Sequence, residues 1–180
     1  MPPRALAAML FAALVILGAA VRQGHLEGLD HFATIHLQPL RKGDWSLLTA
    51  PAGPVAAPLL LLGGAVAMRR RATVRAAWIL VFAAGVAIEV VGKGLVVRAH
   101  VDADRLPWRA HDGFPSGHTM RGVIVAGALA AAWPAARIPL VVWAVANAAL
   151  VETTGMHPLS EVVGGLLGGA ALVACVWNSR

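Results

Sequence analysis

Six stretches of the chain are apolar on all sides, without the polar stripe that marks a helix on the surface of a soluble protein. A helix needs about 20 apolar residues to cross a bilayer core of roughly 30 Å, and each stretch approaches that length. The pattern predicts an all-α, polytopic membrane protein with six transmembrane helices in one bundle. The predicted helices cover about residues 5–21, 46–68, 76–97, 117–133, 138–152 and 159–177.

The overall composition supports the membrane assignment, although three of the six stretches each have an alternative interpretation. Arg4 precedes the first stretch, as in a signal peptide, but no convincing small-x-small cleavage site follows before Val21-Arg22. The fourth and fifth stretches are short, so a buried hairpin of a soluble protein is their alternative. Because 58% of the 180 residues are hydrophobic, we prefer the membrane interpretation and expect one domain over residues 1–180.

Prolines and glycines mark two irregular features within the predicted helices. Pro51, Pro54 and Pro58 fall in the first turns of the second helix and predict that these turns are kinked or irregular. Gly164-Gly165 and Gly168-Gly169 form a doubled small-xxx-small pattern in the sixth helix. Such a pattern predicts close contact with another helix.

The distribution of charge indicates orientation in the membrane. We call the side that holds the N-terminus face A and the opposite side face B. Seven of the 15 Lys and Arg residues and no acid lie on face A, against eight Lys and Arg and all nine acids on face B or the helix ends leading to it. Arg69-Arg70-Arg71 and Arg75 form a basic cluster in a short loop of face A. The positive-inside rule therefore predicts that face A and both termini are cytoplasmic and face B is extracytoplasmic.

The net charge of +6 is thus explained by topology, and we predict no nucleic-acid partner. The largest polar loop, about 22–45, is interpreted as a solvated loop over the membrane face, with a metal site at His25 and His31 as the alternative. Cys175 is a lone thiol in an apolar stretch and forms no disulfide within the monomer. Because neither metal-ligand spacing nor a nucleotide-binding glycine pattern is present, the sequence predicts no metal and no cofactor.

Three polar segments converge on face B in the six-helix arrangement. The third helix ends there near Lys93 and Arg98, the fourth begins there at 116–118, and the sixth begins there at 157–161. The start of the fourth helix suits a phosphate group, because a helix N-terminus offers free N–H groups and the positive end of its dipole. In that turn Gly117 allows the backbone to approach the phosphate closely, Ser116 adds a hydroxyl donor, and His118 can protonate a leaving oxygen.

His157 and Glu161 complete the equipment for phosphoryl transfer. His157 can attack phosphorus and form a phosphohistidine, while Glu161, one helical turn later, can fix its tautomer and stabilise the charge that develops. Lys93 supplies a positive charge for the phosphate oxygens. Its alternative is a structural ion pair with Glu89, four residues earlier on the same helix.

These segments resemble the three motifs of the type 2 phosphatidic acid phosphatase superfamily, the lipid phosphate phosphatases, over about residues 75–175. The first motif, Lys followed by Arg-x-Arg-Pro, appears as Lys93 to Val101, the second as Pro115-Ser116-Gly117-His118, and the third as Leu150 to Glu161. The resemblance implies a metal-independent phosphatase with His157, His118 and Glu161 as catalytic residues. It also implies that Lys93 and Arg98 bind the substrate phosphate.

Three departures from the family pattern concern its charged residues. His100 stands where the first motif has its second Arg, Val151 replaces the Arg of the third motif, and Glu161 replaces Asp. Losing two bidentate donors is expected to cost several kcal/mol of transition-state stabilisation unless another cation compensates. Arg121 is our preferred substitute, because its i+3 spacing from His118 places both on one helix face. The other candidates are protonated His100 and the loop residues Arg105 and Arg109, and the alternative role for Arg121 is an interfacial cation.

The sequence therefore predicts an integral membrane phosphatase that hydrolyses a lipid phosphate or pyrophosphate monoester through a phosphohistidine at the extracytoplasmic face. Phosphatidate, an isoprenyl pyrophosphate and phosphatidylglycerol phosphate all suit such a site, and the sequence does not rank them. The main alternative is an inactive family member that binds or translocates a phospholipid or polyprenyl phosphate; a purely structural membrane protein comes third. The retained His118 and His157 favour the enzyme, and nothing in the sequence indicates the oligomeric state.

Overall fold

The computed structural model describes residues 2–40, 46–67, 72–96 and 113–177, and these ranges contain helices and no strand. The helices are α1 (Pro3–Arg22), α2 (Glu27–Leu37), α3 (Ser46–Thr49), α4 (Ala56–Ala67), α5 (Ala72–Leu95), α6 (Gly117–Ala132), α7 (Arg137–Thr153) and α8 (Leu159–Trp177). The predicted all-α class is confirmed.

Within the described ranges, four helices are long and apolar enough to cross a membrane, by length and composition. They are α1, α5, α7 with the 3-10 turn that precedes it, and α8. Two more of the predicted spans correspond to the shorter helices α4 and α6, of 12 and 16 residues. The count of six spans therefore stays a prediction.

The predicted helix over 46–68 is interrupted where its prolines fall. Helix α3 ends at Thr49, a 3-10 turn covers Ala50–Ala52, and α4 begins only at Ala56. Proline lacks the N–H of a helical hydrogen bond and its ring clashes with the preceding turn, so a continuous helix is disfavoured here. The irregular start is as predicted, whereas the single continuous span is corrected.

The interpretation of residues 22–45 as a solvated loop is wrong for its described part, because α2 lies there and packs against α8. Asp30 of α2 is fully buried. Its carboxylate accepts hydrogen bonds from the backbone N–H of Ser160 at 2.9 Å and from the Ser160 hydroxyl at 2.7 Å. An acid from α2 therefore satisfies the first turn of α8, where backbone donors have no helical partner. His25 and His31, the alternative metal ligands, are both exposed.

Helix α6 lies at the centre of the bundle and packs against α4, α5, α7 and α8. Glycines permit its close approach to α8. A methyl group added at Gly165 would lie 2.6 Å from the carbonyl oxygen of Ser116, and one at Gly169 would lie 2.8 Å from Cβ of Val123. The small-xxx-small pattern therefore does form a helix contact, as predicted.

This contact brings the beginnings of α6 and α8 together. The backbone N–H of Ser116 donates to the carbonyl oxygen of Glu161 at 2.9 Å. Side chains from the first turns of the two helices consequently share one small region at the same end of the bundle.

Candidate active site

Ser116 caps the N-terminus of α6. Its hydroxyl oxygen accepts from the backbone N–H of Thr119 at 3.3 Å and from the Thr119 hydroxyl at 3.1 Å. Ser116 is fully buried, so these bonds satisfy groups that water does not reach. Neither bond uses the hydrogen of the Ser116 hydroxyl, so this hydrogen can be donated to the predicted phosphate.

His157 and Glu161 form the pair that the sequence predicts. Nδ1 of His157 lies 2.7 Å from Oε2 of Glu161, and both side chains are buried. A carboxylate accepts but does not donate when ionised, so it favours the tautomer with hydrogen on Nδ1. Nε2 of His157 then carries a lone pair, as a nucleophile requires.

His118 lies beside this pair. The ring centroids of His118 and His157 are 6.3 Å apart, and the ring planes are tilted by 53°. Two imidazoles at this separation can act on one phosphoryl group, one at phosphorus and the other at the leaving oxygen. Residues from α6 and from the start of α8 therefore meet as predicted.

Lys93 and Arg121 are joined through Glu89. Nζ of Lys93 lies 2.8 Å from Oε1 of Glu89, which is the ion pair considered as an alternative role for the lysine. Arg121 forms a short ion pair with the other oxygen of Glu89, and its Nε donates to the carbonyl of Ala52 at 3.1 Å. Arg121 is buried rather than interfacial, so the alternative of a cation reaching for the membrane surface is not what the structure shows.

The Glu89 carboxylate lies directly against the first turn of α6. A side-chain carbon added at Gly117 would overlap all three atoms of this carboxylate, so glycine is required for the close approach. The sequence indicates Glu89 only as a partner of Lys93. Its contact with Arg121, 32 residues away, depends on how α5 packs against α6.

The remaining phosphate-binding predictions cannot be placed. Arg98 and His100, together with the alternatives Arg105 and Arg109, lie outside the described residues. Val151, at the motif position of a family arginine, is fully buried against Ala148 and Val162 and brings no charge to the site.

Glu152 is a buried acid that sequence reasoning missed. One of its oxygens accepts from Nε2 of Gln38 at 3.3 Å, while Oε2 has no hydrogen-bond partner in the described part of the chain. An acid inside an apolar helix is a recognisable sequence signal. Among the residues that the structure describes, no group of three or more His, Cys, Asp or Glu side chains is arranged to hold a metal ion.

An apolar cavity of about 730 Å³ opens beside the charged residues, between α1 and α5. Its wall includes Gly92, which precedes Lys93, Val96, three residues after that lysine, and Phe114 and Pro115, which immediately precede Ser116. An apolar space of this size is within the range of small-molecule pockets. The cavity therefore adjoins both the helix N-terminus and the lysine.

Comparison with known proteins tests the family resemblance of these motifs. The family model of the PAP2 superfamily matches residues 34–180, more than half of the chain. The chain belongs to the PAP2 superfamily. The resemblance to the type 2 phosphatidic acid phosphatases is therefore confirmed.

A solved structure agrees with this assignment. The PAP2 chain is similar to the crystal structure of a transmembrane PAP2-type phosphatidylglycerolphosphate phosphatase from Bacillus subtilis, with a TM-score of 0.71 and 25% sequence identity. The match covers 95% of this chain and 94% of that chain. No curated protein sequence matches the chain significantly. The protein is thus a multi-pass membrane protein with the fold of a PAP2 phosphatase.

Proposed function

We propose that the protein hydrolyses a lipid phosphate or pyrophosphate monoester through a phosphohistidine formed on His157. The PAP2 fold supports lipid phosphatase activity in general. The observation that carries the finer proposal is the buried bond of His157 to Glu161, with His118 beside it. A nucleophile, the group that orients it and a proton donor are thus present together.

In the first step Nε2 of His157 attacks phosphorus in line with the ester bond. The N–P bond forms, the P–O bond to the lipid breaks, and His118 gives its proton to the leaving oxygen. Glu161 stabilises the imidazolium that develops on His157. The negative phosphate favours the protonated form of His118 that this step requires.

In the second step water attacks the phosphohistidine. The new O–P bond replaces the N–P bond, His118 takes a proton from the water, and inorganic phosphate leaves. His157 is then neutral again, because the electron pair of the N–P bond returns to Nε2 while Nδ1 keeps the hydrogen that it donates to Glu161. Lys93 and Arg121 stabilise charge on the phosphate oxygens in both steps.

The cavity between α1 and α5 favours an amphiphilic substrate. It is apolar, and its wall includes Gly92, next to Lys93, and Pro115, next to Ser116, so it can hold a lipid tail beside residues that we propose to bind the phosphate. Phosphatidate, an isoprenyl pyrophosphate and phosphatidylglycerol phosphate remain the candidate substrates. Phosphatidylglycerol phosphate is tested first, because the similar Bacillus subtilis protein is described as a phosphatase of that lipid.

The test is phosphate release from these lipids by the purified protein in detergent, without added metal. We expect release by the wild type and by His25→Ala, since His25 is exposed on the turn after α1, and no release by His157→Ala. Trapping of labelled phosphate on the wild type but not on His157→Ala would identify the intermediate. Folded protein that binds one of the lipids and releases no phosphate would contradict the enzyme and support the binding or translocation alternative.

A further inference from the structure

Glu89 is the acid that contacts two cations of the candidate active site. It lies on α5 one turn before Lys93, and it pairs with Lys93 on its own helix and with Arg121 on α6. The Glu89 side chain is 12% exposed and that of Arg121 is 10% exposed. The three charges therefore form one largely buried group across the α5–α6 contact.

The group keeps donors available for a further anion. Lys93 has three N–H donors and uses one for Glu89. Arg121 has five and uses one for Glu89 and Nε for the Ala52 carbonyl. Two donors of Lys93 and three of Arg121 therefore have no protein partner within the described ranges.

The Glu89 carboxylate also lies against Gly117 at the start of α6, where the helix N-terminus stabilises an anion. Without it, two cations from different helices would lie close together in a region of low water content, where like charges repel strongly. One carboxylate between them offsets this repulsion and holds both side chains in place. It also reduces the net charge of the three from +2 to +1, which still attracts a phosphate.

We propose that Glu89 is a positioning residue that joins Lys93 and Arg121 into one phosphate clamp. Arg121 then supplies the guanidinium that residues 100 and 151 do not. This inference rests on the proposed function, because it assigns the two cations to the same substrate phosphate. Glu89 itself does not touch the substrate and acts through the cations that it holds.

The test compares Glu89→Gln and Glu89→Asp with the wild type. We measure kcat, KM for the lipid phosphate that is hydrolysed, and inhibition by orthovanadate, a phosphate analogue. Losing charge-assisted contacts to both cations is expected to raise KM and the vanadate inhibition constant of Glu89→Gln about tenfold, with a smaller fall in kcat. Glu89→Asp keeps the charge with a shorter reach, so its increase should be smaller. Glu27→Gln, the same change at an exposed position of α2, is the matched control and should leave both constants unchanged.

A double-mutant cycle tests whether Glu89 acts through Arg121. Arg121→Ala alone should reduce turnover at least about tenfold. Adding Glu89→Gln to Arg121→Ala should then raise KM and the vanadate inhibition constant by less than the same change does in the wild type, because one of the two partners of Glu89 is already absent. Fully additive losses would overturn the inference, since they would assign the two residues independent roles.

Two other outcomes would also overturn it. Unchanged vanadate inhibition in both folded Glu89 variants would show that the carboxylate does not organise the clamp. Tighter vanadate binding by Glu89→Gln would show that Glu89 competes with the phosphate. If Glu89→Gln does not fold, judged by thermal unfolding in the same detergent, the vanadate inhibition constant of Glu89→Asp alone decides between these outcomes.

Failure of the inference can be distinguished from failure of the proposed function. Calorimetric titration with orthovanadate measures anion binding without turnover. Wild-type protein that binds vanadate and hydrolyses no lipid would contradict the phosphatase, while the effect of Glu89→Gln on that binding would still decide the role of Glu89.

Discussion

At the scale of single residues, a small chemical change tests the role of the bond between His157 and Glu161. Glu161→Gln keeps the size of the side chain but removes its charge, and its amide can present either a donor or an acceptor to Nδ1. We expect kcat to fall by roughly 10²-fold or more, because both the tautomer and the developing imidazolium lose their support. Phosphate release under saturating lipid measures this effect.

The matched variant is Glu161→Asp, which restores the family residue with a side chain one methylene shorter. It should retain far more activity than Glu161→Gln, since the carboxylate is kept. Equal rates for Glu161→Gln and the wild type, with the protein folded, would show that the bond only stabilises the structure.

The sequence identifies some residues of the site and misses others for a physical reason. His118, His157 and Glu161 are identifiable because each lies in a short motif at a predicted helix start. The link from Glu89 to Arg121 is not identifiable, because it joins two helices whose relative rotation depends on tertiary packing. The bond of Asp30 to Ser160 is missed likewise, since its residues are 130 positions apart and Asp30 lies on α2, a segment that the sequence predicts as a loop.

At the scale of helices, the glycines of α8 determine how near its first turn comes to that of α6. Gly165→Ala would place a methyl group 2.6 Å from the Ser116 carbonyl oxygen and 2.8 Å from Cβ of Thr119. We expect a loss of about 1–3 kcal/mol in the free energy of unfolding, as for other overpacked sites. Activity should fall as well, because α6 carries His118 and the segment entering α8 carries His157.

Gly63→Ala is the control for helix propensity, since an added methyl group at Gly63 of α4 meets no atom within 4 Å. It should leave the unfolding midpoint in detergent unchanged or slightly raised, because alanine favours a helix more than glycine does. Equal midpoints for the two variants would contradict the importance of the α6–α8 contact.

Helix prediction succeeded for the apolar stretches outside the proline-rich one, including the short ones that form α6 and α7, and failed for the polar segment that forms α2. Helices α1, α5, α7 and α8 agree with the predicted stretches to within a few residues. The 11 residues of α2 contain two acids and two histidines, so the segment resembles a polar loop until its packing on α8 is known. The prolines near residue 50 correctly predict an irregular backbone, but they do not predict where the helix resumes.

At the scale of the whole molecule, composition predicts a membrane protein but orientation depends on few charges. Lys and Arg are almost evenly divided between the two faces, seven against eight. The assignment of face A to the cytoplasm therefore depends on the cluster of Arg69-Arg70-Arg71 and Arg75. Short basic loops of this kind are retained on the cytoplasmic side.

A reporter that is active only in the cytoplasm tests this orientation when it is fused after Arg180. We expect activity there, because six spans return the C-terminus to the side of the N-terminus. The same reporter fused after Thr153, at the end of α7, should be inactive, since α7 ends on the face where α8 begins. Inactivity after Arg180 with activity after Thr153 would place the histidines on the cytoplasmic face, so that the enzyme would act on lipids of the inner leaflet. Activity at both positions would instead contradict a membrane crossing by α8, and with it the six-span arrangement.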